Sequence, residues 1–419
     1  MREEKGALNG AERRLLALLE EALTGTLQNS MWSSEHPAEA ASWAAQGDVQ
    51  GDAPDWERLV HMAERHGVLP LLYDMLTERV QMPENPRRRA VDSARQTVQQ
   101  SYRLLFLCKY LMAGLEEAGV HAALLKGVGT ASYYPTPELR KAGDVDILLL
   151  HPEELSRAEE ALVKMGCKRM QEQSALHHVA YRSDGGIEVE LHTMLAEPFD
   201  NERMNQYIKE RLADCAGHVR RADVMGVPLP VLEDAWHAYE LLLHMLQHFL
   251  RSGFGLKLLC DWVVFWNRET GEGEQKQYLK LVTESRIKGF SDIVTFVCCR
   301  YLGLPRERVA WMELSEAYEA EQFLAEILEA EEFGKSSVNR MVTLRGGGLK
   351  DYVREFHHQM RLNFPRGSRC ILCWPALWLI TLVRFLRNNR KIRKTSGLAI
   401  LKKAGQRGRL IEQIGLFQD

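Results

Sequence analysis

Asp144 and Asp146 stand two residues apart in Asp144-Val145-Asp146-Ile147-Leu148-Leu149-Leu150, a run whose nearly continuous apolar end reads as a strand. Residues two apart on a strand project from one face, so the two carboxylates stand side by side while Val145 and Ile147 turn to the other. Like charges at that range repel, and a divalent cation between them relieves the repulsion. Mg²⁺ suits the task because it prefers carboxylate oxygens and keeps positions open for water and phosphate. Alone, an Asp-x-Asp reads more simply as a pair of solvated acids at a strand start. Ile187-Glu188-Val189-Glu190-Leu191-His192 alternates apolar and polar residues and puts Glu188, Glu190 and His192 on a common face. If this strand lies beside the first, one glutamate reaches the same metals; otherwise it is a half-exposed strand with a charged outer side.

Cations and a glycine precede the acids. Leu124-Leu125-Lys126-Gly127 ends a strand and leads into a helix, where glycine lets backbone approach a phosphate, the helix N-terminus offers amide donors, and Lys126 adds charge. Arg140, in the loop before Asp144, is placed either to meet a triphosphate or to balance the acids. Lys257 and Asp261, one helical turn apart, are an internal ion pair or a helical contribution to a nucleotide cleft. His244 and His248 are likewise a turn apart, but lack the intervening glutamate of metalloproteases, and Cys370 and Cys373 form a lone CxxC without a second pair. Neither pattern establishes a zinc site. His177 and His178 open a hairpin strand, so one of them faces the side that holds Glu190.

The elements that must position these residues form an α/β unit set between helical regions. Helical periodicity runs over Arg13–Leu23, resumes after the Asp55 N-cap, and fits a long helix over Arg88–Glu117; residues 25–54 read as a loose linker. Strands are predicted at His121–Leu125, Asp144–Leu150 and Lys168–Gln171, with a hairpin of Leu176–Arg182 and Ile187–His192 through Ser183-Asp184-Gly185-Gly186. Beyond Pro230 the pattern is helical again. The expected organisation is therefore a helix and linker over 1–54, a helical region over 55–118, an α/β core over 119–230, and a helical region with a basic tail over 231–419.

Several of these segments resemble a family of bacterial nucleotidyltransferases in the DNA polymerase β-like superfamily. The likeness rests on Leu124-Leu125-Lys126-Gly127, Tyr133-Tyr134-Pro135, Leu139-Arg140, Gly143-Asp144-Val145-Asp146-Ile147-Leu148 and Glu190-Leu191-His192. It extends to Asp55-Trp56, His66-Gly67-Val68-Leu69-Pro70-Leu71-Leu72, the positions of His244, Lys257 and Asp261, and Phe364-Pro365. The resemblance implies an α+β fold, a polymerase β-like core with a mixed sheet flanked by helical regions. It also implies a Mg²⁺-dependent (or Mn²⁺-dependent) enzyme with an NTP co-substrate. Asp144, Asp146 and Glu190 would be its metal-binding and catalytic acids, and Lys126, Gly127, Arg140, Lys257 and Asp261 its nucleotide-binding residues. NMP would pass to an acceptor hydroxyl on a small molecule or a macromolecule. One position departs from the superfamily: Val128 follows Gly127 where Gly or Ser is common, so no hydroxyl contact to phosphate carries over.

Composition bounds the alternatives. The 419 residues carry 45% hydrophobic and 26% charged residues and a net charge of -3, an ordinary globular balance that does not advertise nucleic-acid binding by the whole chain. The N-terminus lacks a secretory pattern, so a cytoplasmic location with reduced thiols is expected. Cys370–Val383 is the most apolar stretch, but it is short and contains Pro375. A protein-buried helix is expected there, or else an interfacial membrane contact assisted by the basic tail, and not a membrane span. The stretch 384–409 collects Arg387, Arg390, Lys391, Arg393, Lys394, Lys402, Lys403 and Arg407. It is a solvated face or a surface for an anionic partner such as RNA, which leaves a toxin-like enzyme acting on tRNA or protein, and a silent binding protein on the same fold, as the other readings.

Overall fold

The computed structural model describes residues 8–25, 55–170, 178–199, 201–251, 253–313, 320–330, 373–381 and 414–416, together with His357, Met360, Phe364 and Val383. Helix α1 (Gly10–Thr24) opens with a capping box in which Asn9 and Glu12 each satisfy the other's backbone N–H. Asp55 caps α2 (Trp56–Arg65), and α3 (Glu84–Glu117) follows as a helix of 34 residues. The sheet then begins with β1 (Ala122–Leu124), the short α4 (Val128–Ala131) and β2 (Asp144–Leu149). Helix α5 (Leu155–Lys164) leads to β3 (Lys168–Arg169), β4 (His178–Arg182) and β5 (Glu188–His192).

After α6 (Glu202–Cys215) come two strands, β6 (Val219–Val224) and β7 (Val227–Leu232), which the sequence pattern does not predict. Pro228 and Pro230 argue against a strand, since proline cannot donate to the ladder. They are tolerated because the short β1 meets β7 only where Leu124 faces Val231, while β6 pairs along its whole length. The turn between them places Met225 at φ 50 and Gly226 at φ 80, the positive pair that a tight hairpin needs.

The seven strands form one mixed sheet in the order β3-β4-β5-β2-β1-β7-β6. One face packs against α3 and α5 through Leu104, Leu111, Leu115, Ala158 and Leu162, and receives Val145, Ile147, Leu149, Val189 and Leu191. Ala123, Leu125 and Leu148 join a second core on the opposite face. That core is built by α7 (Asp234–Arg251), α8 (Leu256–Trp266), α9 (Glu272–Glu284), α10 (Lys288–Tyr301) and α11 (Ala320–Ala330), with α1 and α2 in the same apolar mass. Asp144 and Asp146, alternating with the residues of the first core, therefore face the helical layer. Cys108, Cys260, Cys298 and Cys299 are buried free thiols.

The apolar C-terminal stretch departs from expectation. Its described part is helical, but Leu379, Ile380 and Val383 are exposed and Thr381 is its buried residue, so it is not a protein-buried helix. Apolarity alone does not say whether a neighbour covers a helix face. Among the described residues no helix is long and apolar enough to cross a membrane. The linker, His177, Cys370 and the basic tail lie outside the described residues.

The alternation that sorts β2 into two faces yields a stability test. Ile147 is fully buried between sheet and α3, and Ile147→Ala should cost about 2–5 kcal/mol, read as a lowered thermal midpoint. Glu188→Ala on the polar face of β5 should stay within about 0.5 kcal/mol of wild type.

Candidate functional site

The site is assembled where β2 and β5 lie parallel, with Asp144 in register with Glu188 and Asp146 with Glu190. Parallel pairing with matched alternation puts all four acids on one face, and His192 completes it two residues beyond Glu190. The His192 Nε2 lies 2.9 Å from Asp146 Oδ1 and 3.2 Å from Glu190 Oε2, so one imidazole joins the two carboxylates. Lys126, just past β1, brings Nζ to 3.3 Å from the same Asp146 oxygen and 3.4 Å from His244 Nδ1. An ammonium only donates, so that His244 nitrogen accepts. Asp146 Oδ2 is buried and has no hydrogen-bond partner among the described residues.

These neighbours sort the acids electrostatically. Burial works against a charged Asp146, but Lys126 and the hydrogen bond from His192 outweigh it and hold the carboxyl well below its usual range. Glu190 is lowered in the same way, burial again being overcome chiefly by His192. Asp144 is raised, first by the Asp146 charge beside it and then by burial, with Lys126 and Lys257 opposing. His192 itself is raised: desolvation disfavours its charged ring, and the bonds to Asp146 and Glu190 prevail.

Gly127 turns the chain from β1 into α4 at φ 62 and ψ -116, a conformation side-chain-bearing residues rarely adopt, and a Cβ there would lie 3.7 Å from the Asp144 carbonyl. The helix after it has only four residues, so it presents amides with little macrodipole behind them. The structure thus gathers Lys126, Gly127, Asp144, Asp146, Glu190 and, through its charge on Asp144, Lys257.

Arg140 and Asp261 pair with each other. Arg140 Nε and Nη2 each donate to an Asp261 oxygen at 2.8 Å, and Tyr134 Oη donates to the same carboxylate at 2.7 Å, all of them buried. The expectation that both contact nucleotide meets a closed, bidentate pair that ties the loop before β2 to α8.

Sequence reasoning passed over Glu240 and underrated His178 and His192. Glu240, His244 and His248 recur every fourth residue along α7 and so line one side of it, a signal present in the sequence. Glu240 is buried, its Oε2 lacks a partner among the described residues, and desolvation lifts its pKa to about 7 against the pull of Lys126. His237, on the same helix, lies 3.0 Å from Tyr133 Oη and 3.3 Å from Thr130 Oγ1, which braces α4.

Two tests follow from this geometry. Arg140→Met leaves the Asp261 carboxylate buried without its cation and should cost about 3–5 kcal/mol of stability, with Arg140→Met/Asp261→Leu regaining most of it. A nucleotide role for Arg140 would instead weaken NTP binding at an unchanged thermal midpoint. The second test concerns acid. Burial and then the charges of Arg220, Arg268 and Arg140 push His237 down to about 3, and burial with Lys126 pushes His248 to about 4. These rings stay neutral when folded and protonate when unfolded below about 6.5. Between those limits the unfolded chain binds more protons, so stability rises with pH and is lost as pH falls from about 6.5 toward 4. His237→Gln should flatten that loss by about 1.4 kcal/mol per pH unit, checked by thermal midpoints across the range.

Known proteins offer three comparisons. A family model described as uncharacterised nucleotidyltransferase matches residues 52–303. An antigenic nucleotidyltransferase-like protein from Paracoccidioides brasiliensis is structurally similar at 15% identity and a TM-score of 0.31, over 46% of this chain and 91% of that one. No curated protein matches.

Proposed function

The chain belongs to the family of uncharacterised nucleotidyltransferases, and on that premise we propose that it transfers the NMP of an NTP to an acceptor hydroxyl, with release of pyrophosphate, at the Asp144–Asp146–Glu190 face. The observation that carries this reading is the buried Asp146 Oδ2, a carboxylate oxygen without a partner among the described residues, beside two further acids on one sheet face. A buried charge left in that state is costly unless a ligand completes it, and oxygen donors of this kind fit a hard divalent cation. Asp144 and Asp146 would hold Mg²⁺, or Mn²⁺ in its place, and Glu190 would complete a second position. Such a cation supplies positive charge to the triphosphate and to the developing negative charge of the transfer.

The remaining work falls to the chain's own groups. Lys126 keeps Asp146 ionised, and its ammonium, with that of Lys257, gives a polyanion favourable charge near Asp144. Gly127 leaves the backbone bare next to Asp144, where a phosphate needs room. The sheet register fixes Glu190 against Asp146, which is the positioning that a bimolecular transfer requires.

Incubating the protein with each labelled NTP, Mg²⁺ and a cell extract identifies donor and acceptor together. Asp144→Asn and Asp146→Asn should each lower turnover by about a hundred-fold or more. Their stabilities should diverge: Asp144→Asn relieves repulsion and keeps or raises the thermal midpoint, whereas Asp146→Asn takes a partner from Lys126 and His192 and lowers it. Glu190→Gln should depress kcat more than donor binding. Calorimetric Mg²⁺-NTP binding and turnover that are both unimpaired in Asp144→Asn would end the reading.

A further inference from the structure

A second set of donors, of different chemistry, stands on the same face of the sheet. His178 on β4 is in register with His192 on β5, and Glu190 lies one alternation back from His192. The His178 Nε2 is 3.8 Å from Glu190 Oε1, the His192 Nε2 is 3.2 Å from Oε2, and the two rings are 5.4 Å apart. One ligand atom from each of the three residues falls within 4.8 Å of the others, the one such group among the described residues. Metal–ligand distances of about 2.0–2.2 Å need donors a little closer than this, a change within reach of side-chain rotation on strands whose backbone stays fixed.

Two imidazoles and a carboxylate are not a Mg²⁺ ligand set. Mg²⁺ keeps to oxygen, whereas imidazole suits first-row transition ions, whose affinities rise from Mn²⁺ through Co²⁺ toward the end of the row. The group is also reachable: His178 and Glu190 keep 12% and 21% of their side-chain surface, while His192 and Asp146 back them from within at 8% and 1%. A cation that reaches Glu190 thus meets three protein donors.

We propose that His178, Glu190 and His192 form a transition-metal site, for Mn²⁺, Co²⁺ or Zn²⁺ in preference to Mg²⁺, adjoining the Asp144–Asp146 pair and sharing Glu190 with it. The site would make the second cation position nitrogen-ligated and the first all-oxygen, so that the two select different ions. This rests on the nucleotidyl-transfer reading for the use of the site beside a nucleotide, and on the three side chains alone for the binding of metal.

The test uses the full chain without nucleotide. Mn²⁺ is titrated into metal-free protein and the bound ion is examined by pulsed electron paramagnetic resonance for ¹⁴N coupling from imidazole. Wild type should bind Mn²⁺ with nitrogen coupling that survives a large excess of Mg²⁺. His178→Gln, at the half-buried end of a strand, should fold, lose part of the coupling and weaken Mn²⁺ binding by roughly 10–100-fold. Asp144→Asn should keep the nitrogen-coupled ion while losing Mg²⁺-NTP binding. Mn²⁺ bound without ¹⁴N coupling, its displacement by Mg²⁺, or unchanged affinity in His178→Gln would overturn the site even if NTP binding stands. Nitrogen-coupled Mn²⁺ in a protein that binds no NTP would uphold the site and remove the transferase reading.

Discussion

Carboxylates that crowd one face of a folded sheet must be kept ionised and close, and much of this molecule is arranged around that constraint. Asp146 is where it is sharpest. It is buried, it has Asp144 on its own strand and Glu190 across the ladder, and it is held charged by one lysine and one histidine. Neither partner comes from β2. Lys126 arrives from the end of β1 and His192 from β5, so both neighbours of β2 in the sheet are needed to stabilise one side chain. The same lysine reaches α7 through His244 and sits close to Glu240, whose carboxyl it partly offsets. Packing and electrostatics therefore meet at a single residue, and the short β1 serves chiefly to deliver it.

The two faces of the sheet divide labour. Val145, Ile147 and Leu149 fix β2 against α3 and α5 in an apolar layer, while the alternate residues meet the helical layer. Burying one side thoroughly is what allows the other to carry like charges, because a slip of one residue would exchange the two sets and drive the carboxylates into the apolar layer. Precise register is thus maintained by hydrophobic burial remote from the chemistry.

How far the sequence is readable follows from the range of the interactions. Period-two alternation around Asp144 and Glu190 is local, and it identifies the strands and the face they share. The α/β unit between helical regions is legible for the same reason. Arg140 and Asp261 are separated by 121 positions, and no local pattern announces that they bind each other. The β6–β7 hairpin is hidden by prolines that only a short neighbouring strand excuses. His192 looks like one more polar residue on an alternating strand until its two acceptors are in place. The exposed side of the helix near Leu379 is a matter of what covers it, which composition does not encode.

The bidentate pair of Arg140 and Asp261 bears on modularity. It joins the loop that enters β2 to a helix of the opposite layer, under cover of Tyr134 and away from solvent. A sheet unit excised from the helices would retain a guanidinium in an apolar setting with no counter-charge, and the helices alone would retain the carboxylate. Each half is therefore incomplete without the other, and the α/β unit is not a portable cassette that recombination could set on a different helical partner. Descent with this pair intact would keep the two layers travelling together.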